Sequence, residues 1–202
     1  MAQKRFHDDT LKPLLHQAVS HKRRVFFVDA AHFVRGAFLA YLWCFLRWVV
    51  ATGSGRQRYS VLGALDAQSR ELLRETTDGT VNQYTFCRLL RKLREAHPRG
   101  PISVVCDNAR YQHTELVRTF AAYTQIDLVY LPPYSPNLNL IERVWKFVKK
   151  EALANRTFAD FAAFKYSINT VLDQLSGEYK HRMATLLTHN FETIEPPSIL
   201  AA

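Results

Sequence analysis

The sequence predicts an α/β fold built on one mixed sheet, and three observations predict it. Two short continuous apolar runs, "VFFVDA" at 25–30 and "ISVVCD" at 102–107, have strand length and the composition of strands buried on both faces. Between them, 59–66 ("YSVLGALD") and 70–77 ("RELLRETT") are two strand-like segments joined by a short link, which reads as an antiparallel hairpin. Beyond residue 80, helical and strand-like segments alternate, as they do when crossover helices join parallel strands.

The elements follow in order. Residues 1–24 are polar, with a short amphipathic piece (Leu11, Leu14, Leu15) and the basic run "HKRR" at 21–24. The first buried strand follows at 25–30. Residues 36–52 are apolar and aromatic and fit helix or strand equally, and "GSGRQR" at 53–58 is a basic turn. After the hairpin, Asp78 and Gly79 form a turn. "YTFCRLLRKLREA" places Phe86, Leu89, Leu90 and Leu93 on one helical face with basic residues opposite, and Pro98 and Gly100 stop it. The second buried strand ends on Asp107. Thr114 starts a helix over 114–123, and "IDLVYLP" at 126–132 is the fifth strand. A Pro-rich loop leads into the helix that carries Glu142. Thr157 and Asp160 suggest a capping box for a last helix through Phe161, Phe164, Ile168, Val171 and Leu175, which Gly177 ends. No linker divides the chain. Residues 1–24 read as a basic lead-in, 25–180 as one domain and 181–202 as a tail.

Composition narrows the function. The formal net charge of +9 over 202 residues favours a polyanionic partner, most often nucleic acid. Cys44, Cys87 and Cys106 are widely spaced in apolar surroundings without metal-ligand spacing, and read as free buried thiols of a reducing compartment. The first 24 residues are too polar for a signal peptide. The most apolar stretch, 36–46, is bounded by Arg35 and Arg47 and falls far below the ~18 residues that span a bilayer, so no membrane partner is expected.

Three acids interrupt otherwise apolar or structured sequence. Asp29 lies near the end of the first buried strand and Asp107 at the end of the second. If these strands are parallel neighbours, both acids stand at the carboxyl edge of the sheet, where α/β folds place ligands. Glu142 follows one strand and one stiff loop later. Each has a plain structural reading: Asp29 as a strand-end acid bonded to a loop amide, Asp107 as a turn former, Glu142 as the third residue of a capping box begun by Asn139 or as a partner of Lys146. Together they have another. At ~4 Å and an effective dielectric of about 20, each like-charged pair costs about 4 kcal/mol, so such a cluster persists only with protons or cations to neutralise it. Hard divalent ions suit an all-oxygen site, and two of them serve phosphodiester cleavage.

"VFFVDAAHF", "VVCDNARYQHT" and above all "YLPPYSPNLNLIERVWKFVKK" resemble the three active-site blocks of DDE transposases of the mariner superfamily, the bacterial insertion sequence 630 family in particular. The 34 residues between Asp107 and Glu142 (108 to 141) match a spacing of that superfamily, and the resemblance covers roughly residues 20–155. It implies a ribonuclease-H-like fold, a five-stranded mixed sheet flanked by helices, with Asp29, Asp107 and Glu142 as the catalytic, metal-binding triad. It further implies Mg²⁺, with Mn²⁺ as substitute and two ions in the site. The implied partners are double-stranded DNA, both transposon ends and target, and a second copy of the chain on that DNA. The implied setting is the bacterial cytoplasm, at the nucleoid.

The same reading assigns lesser roles. Asn108 orients the loop of Asp107 or a metal-bound water. Lys22, Arg23, Arg24, Arg56, Arg58, His113, Lys146, Lys149 and Lys150 are candidate DNA contacts, while Arg91 to Arg94 default to a solvated helix face. Tyr134 and Trp145 read as packing residues. Two features depart from the family: Ala30 stands where many relatives carry Glu, and the paired helix-turn-helix modules that precede the catalytic domain in relatives do not appear. A separate helix-turn-helix product is therefore an expected partner, because base-edge readout needs such helices.

Overall fold

The computed structural model describes residues 2–36 and 57–192. Helix α1 (Ala2–Phe6) continues through a π-type turn (His7–Leu11) into α2 (Lys12–Val19). The rest runs β1 (Arg24–Val34), β2 (Arg58–Asp66), β3 (Leu72–Thr77), α3 (Gln83–Ala96), β4 (Ile102–Cys106), α4 (Glu115–Tyr123), β5 (Ile126–Tyr130), α5 (Ile141–Leu153), α6 (Phe161–Gln174) and α7 (Lys180–Leu186). The five strands form one sheet in the order β3-β2-β1-β4-β5. β1 pairs antiparallel with β2 and β2 with β3, whereas β4 runs parallel to both β1 and β5. This is the mixed five-stranded sheet flanked by helices that the sequence predicts. Residues 37–56, where the segment 36–52 fits helix or strand equally and where Arg56 and Cys44 fall, lie outside the described residues.

Period-two alternation divides the core. On β1, Val25 and Phe27 face one side with Val61, Leu65, Val105 and the apolar stripes of α2, α5 and α6. Phe26 and Val28 face the other with Leu62, Ala64, Val104 and the leucines of α3. Helices therefore cover both faces, which is why β1, β4 and most of β2 read as continuous apolar runs. The stretch read as a lead-in contributes Leu11, Leu15 and Ala18 to this core, and the stretch read as a tail contributes Met183 and Leu187.

Two helix starts differ from expectation. Asp160, not Thr157, is the N-cap of α6, and its Oδ1 accepts the Ala163 N–H at 2.7 Å. An extended backbone at Asp160 (φ −141°, ψ 179°) lets the helix begin one residue later, at Phe161. Asn139 does not cap α5. The helix starts from Leu140 without a side-chain cap, and the Asn139 amide points into the protein. The expected start of α4 holds, Thr114 accepting from the N–H of Val117, and Asn82 starts α3 by accepting from the N–H groups of Tyr84 and Thr85.

Gly63 shows how closely α5 approaches the sheet. It pairs with Asp29 across β1 and β2, and a Cβ there would lie 2.7 Å from Trp145 Cη2 and 2.9 Å from Ile141 Cδ1. Trp145 is fully buried and cannot swing aside. Gly63→Ala is expected to destabilise the protein by about 1–3 kcal/mol through overpacking, lowering Tm by about 2–4 °C per kcal/mol. A melting curve checks it; unchanged Tm would mean that α5 can lift from the sheet at no cost.

Candidate active site

Asp29 and Asp107 are brought to one edge by strand register. Val28 on β1 pairs with Cys106, the last residue of parallel β4, so Asp29 on β1 and Asp107 just past β4 are the next residue on each chain segment. Val28 faces the α3 side, so Asp29 faces the α5 side, where Trp145 and Glu142 stand. Glu142 lies in the first turn of α5. The three acids line one cleft of about 500 Å³ together with Asn108, Asn139 and the loop of Pro132, Pro133 and Pro136.

The cleft wall is stapled to the sheet. Leu131 N–H donates to the Cys106 carbonyl at 2.9 Å, and the Asn108 amide donates to the Leu131 carbonyl. Asn139 is buried, and its Nδ2 donates to the Val28 carbonyl at 3.2 Å, one residue before Asp29. Its Oδ1 is buried with no partner. Thus the residue expected as a helix cap ties the Glu142 helix to the Asp29 strand. No ion pair joins Glu142 to Lys146 among the described residues; Lys146 is exposed and Glu142 turns toward Asp29.

Asp107 has a holder that the sequence reading missed. Gln112, fully buried on the turn Arg110–His113, donates from Nε2 to Asp107 Oδ1 at 2.6 Å. The reverse amide orientation would set two oxygens against each other, so this bond fixes the amide. Tyr130 holds the turn by donating its hydroxyl to the Gln112 carbonyl at 3.0 Å. His113 stacks on Tyr130, ring centroids 4.2 Å apart.

The electrostatics agree with the geometry. Burial pushes Asp29 up to about 7; the charge of Glu142 and then of Asp107 adds to this, while the Ala30 N–H and the Trp145 indole pull the other way. The indole N–H makes no hydrogen bond of full geometry, so its effect is that of a nearby dipole. Asp29 is only half-buried by accessible surface, but packed protein surrounds it densely enough for burial to dominate. Among the described residues no three His, Cys, Asp or Glu side chains close around a single point. The donors are instead three carboxylates on an open wall beside an unpartnered buried amide oxygen. That all-oxygen set fits a hard divalent cation that keeps part of its coordination for water and phosphate.

The basic candidates divide. Arg58 and Lys149 lie near His32, three residues beyond Asp29; burial first, then these two charges, hold that imidazole below its usual range. Lys146 and Lys150 are exposed on α5, and His113 is exposed beyond Asp107. Lys22, Arg23 and Arg24 lie at the opposite end of the sheet, since Arg24 opens β1 against Ile102. Two of them are engaged, Arg23 with Asp127 and Arg24 with Asp66. Tyr134, expected to pack, is 96% exposed at the cleft rim with φ of +55°. A bulky residue in that region stores about 1–3 kcal/mol of strain, which the flanking prolines and the bond from Gln3 to its carbonyl sustain.

Residues 24–165, 142 of the 202, match the family described as DDE superfamily endonuclease. The fold is similar to that of the Mos1 transposase in its paired-end complex with the left transposon end (TM-score 0.61, 14% identity, 95% of this chain and 62% of that one). It is also similar to the Mos1 transposase catalytic domain solved with Raltegravir and Mg (TM-score 0.55, 16% identity, 94% and 97%). The HTLV-2 integrase catalytic core solved with magnesium shares it more distantly (TM-score 0.51, 12% identity, 76% and 86%). A curated but uncharacterized protein of Sinorhizobium fredii is 50% identical over 36 residues, 18% of this chain and 27% of that protein. This chain therefore spans less than two thirds of the Mos1 chain in that complex and about a quarter of the curated relative. With its ribonuclease-H-like sheet and three acids at the carboxyl edge, the chain belongs to the DDE superfamily endonucleases.

Proposed function

We propose that this protein is the catalytic part of a transposase of the mariner superfamily, of the bacterial insertion sequence 630 type. It cuts DNA at the ends of a mobile element and joins the freed 3′ ends to target DNA in the bacterial cytoplasm. The observation that carries the reading is the meeting of Asp29, Asp107 and Glu142 on one cleft of a basic protein.

Asp29, Asp107 and Glu142 would hold the divalent cations, Mg²⁺ or Mn²⁺ and two in number by this reading. Such ions would supply activation of water and stabilisation of the charge that builds on the leaving oxygen. The chain's own residues set the stage. Gln112 aims Asp107, Asn139 fixes the Glu142 helix against the Asp29 strand, and Asn108 ties the Asp107 loop to Leu131. Lys149 and the exposed Lys146 and Lys150 on α5, with Arg58 near His32 at the same end of the sheet, offer positive charge to the DNA backbone. Hydrolysis breaks the P–O3′ bond, leaving a 3′-hydroxyl and a 5′-phosphate. In strand transfer that hydroxyl attacks a target phosphorus and releases a target 3′-hydroxyl, so one phosphodiester forms as another breaks. The working assembly is a dimer on paired ends, with base-specific readout supplied by a helix-turn-helix partner.

The test is nicking of supercoiled plasmid at low salt in Mn²⁺ against chelator, followed by joining of a labelled 3′ end to plasmid. Metal-dependent nicking with joining supports the transposase reading. Nicking without joining assigns a nuclease that does not transpose. DNA binding without either reaction identifies an inactive remnant and overturns the proposal.

A further inference from the structure

The end of the sheet remote from the carboxylates carries a second built feature. β1 advances five residues from Arg24 to Asp29, roughly 17 Å at the usual rise of a strand. At the Arg24 end, a cavity of about 270 Å³ is lined by His21, Lys22, Arg23, Arg24 and Arg99, with Asp66 its only acid.

The acids near this cavity are already engaged. Asp66 Oδ1 accepts the N–H groups of Gln68 and Ser69 at 2.8 and 2.9 Å, and its Oδ2 takes Arg24 at 3.1 Å. Arg23 is shared among Asp127, Ser103 and Gln17. Lys22 and Arg99 are exposed and have no ion-pair partner among the described residues. Of the four cationic side chains that line the cavity, Arg23 and Arg24 are thus paired with Asp127 and Asp66, while Lys22 and Arg99 pair with no carboxylate among the described residues.

Both free cations sit on fixed turns. His21 has φ of +54°, and the chain around it is tied to α2 by bonds from His21 N–H to Ala18 O and from Lys22 N–H to Gln17 O, each 3.0 Å. Gly100 turns the other loop with φ of +84°, and Arg94 clamps that loop by donating to the His97 and Gly100 carbonyls at 3.1 and 3.0 Å. All of Arg94's bonds go to carbonyls, so it adds charge without consuming any. His97, next to this loop, is held below its usual range mainly by burial, with Arg24 and Arg94 adding to the shift and Asp66 and Glu71 opposing it. The cavity is also smaller than the roughly 300–1,000 Å³ usual for small-molecule sites, and suits a single anionic group.

We infer that Lys22 and Arg99, held on these two turns, form a second phosphate-binding site that takes a backbone phosphate of duplex DNA at the end of the sheet opposite the catalytic cleft. The site goes beyond the cleavage chemistry: it grips DNA whether or not the three carboxylates cut it. A duplex there lies outside the cleft, which gives one chain two separate holds on DNA.

The experiment is binding of the full 202-residue chain to a labelled random-sequence duplex over a salt series without divalent metal. The double variant Lys22→Gln/Arg99→Gln is compared with wild type and with a charge-matched control, Arg156→Gln/Lys180→Gln, whose residues do not line this cavity. The expected result is a log–log salt slope shallower by about 1–2 and a roughly tenfold weaker affinity for the first variant alone. Equal losses in both variants would reduce the effect to net charge, and a first variant that binds like wild type would remove the site; either overturns the inference. Inorganic phosphate is titrated in parallel. If it raises the wild-type Tm but not the variant's while the DNA slopes coincide, the occupant is free phosphate and the DNA assignment fails. Nicking is scored separately, so loss of the cleavage reading leaves this result standing.

Discussion

Asp107→Asn abolishes metal-dependent nicking, with a loss of at least about 10³-fold, while the variant melts within about a degree of wild type. The size follows from what the carboxylate supplies. A cation that neutralises charge in a phosphoryl transition state is worth several kcal/mol, and about 4 kcal/mol is a thousandfold in rate. The neutral folding effect follows from position. Asp107 is exposed, follows the last residue of β4, and keeps the Gln112 Nε2 bond through the Asn carbonyl oxygen. Gln112→Met provides the graded comparison. It keeps the buried volume, removes the donor, and is expected to cost about 10–100-fold, in part recovered at high metal concentration, as for other side chains that orient a ligand. If Asp107→Asn nicks at the wild-type rate, the metal does not sit at these three acids. If Gln112→Met is unchanged under limiting Mn²⁺, Asp107 needs no holder.

What could be read from the chain alone had a simple physical basis. β1 and β4 bury both faces, so they leave uninterrupted apolar runs, and an acid at the end of each stands out against that background. What could not be read depends on bonds between distant residues. "NLIE" imitates a capping box, yet Asn139 donates its amide to the Val28 carbonyl across 111 residues, which no local pattern signals. Gln112 follows Asp107 on an irregular turn without periodicity to mark it. Tyr134 looked like a packing aromatic, but it stands at the cleft rim with a φ of +55° and its ring exposed, which sequence does not signal. The basic groups at 22–24, 58 and 146–150 looked alike in sequence. Only the register of β1 against β4 separates those flanking the cleft from those at the far end of the sheet.

In the absence of metal, stability falls as pH rises from about 4 to about 7, and Asp29→Asn removes the fall. The sign follows from the direction of the shift. The folded-state value for Asp29 is about 7, against an ordinary 3.8, so between these values the folded protein holds a proton that the unfolded chain has released. The contribution is complete below the ordinary value and is lost as pH climbs through the folded one. Three units at about 1.4 kcal/mol each set a ceiling near 4 kcal/mol. His32 and His97 are held low and so act with the opposite sign, which is why the reading is the difference between wild type and Asp29→Asn rather than either curve alone. Mg²⁺ is expected to flatten the wild-type curve and leave the variant unmoved, because an ion at the cleft supplies the positive charge that the proton supplied at low pH. A wild-type curve that parallels the variant across this window would show that Asp29 ionises without cost, and that Glu142 and Asp107 do not crowd it.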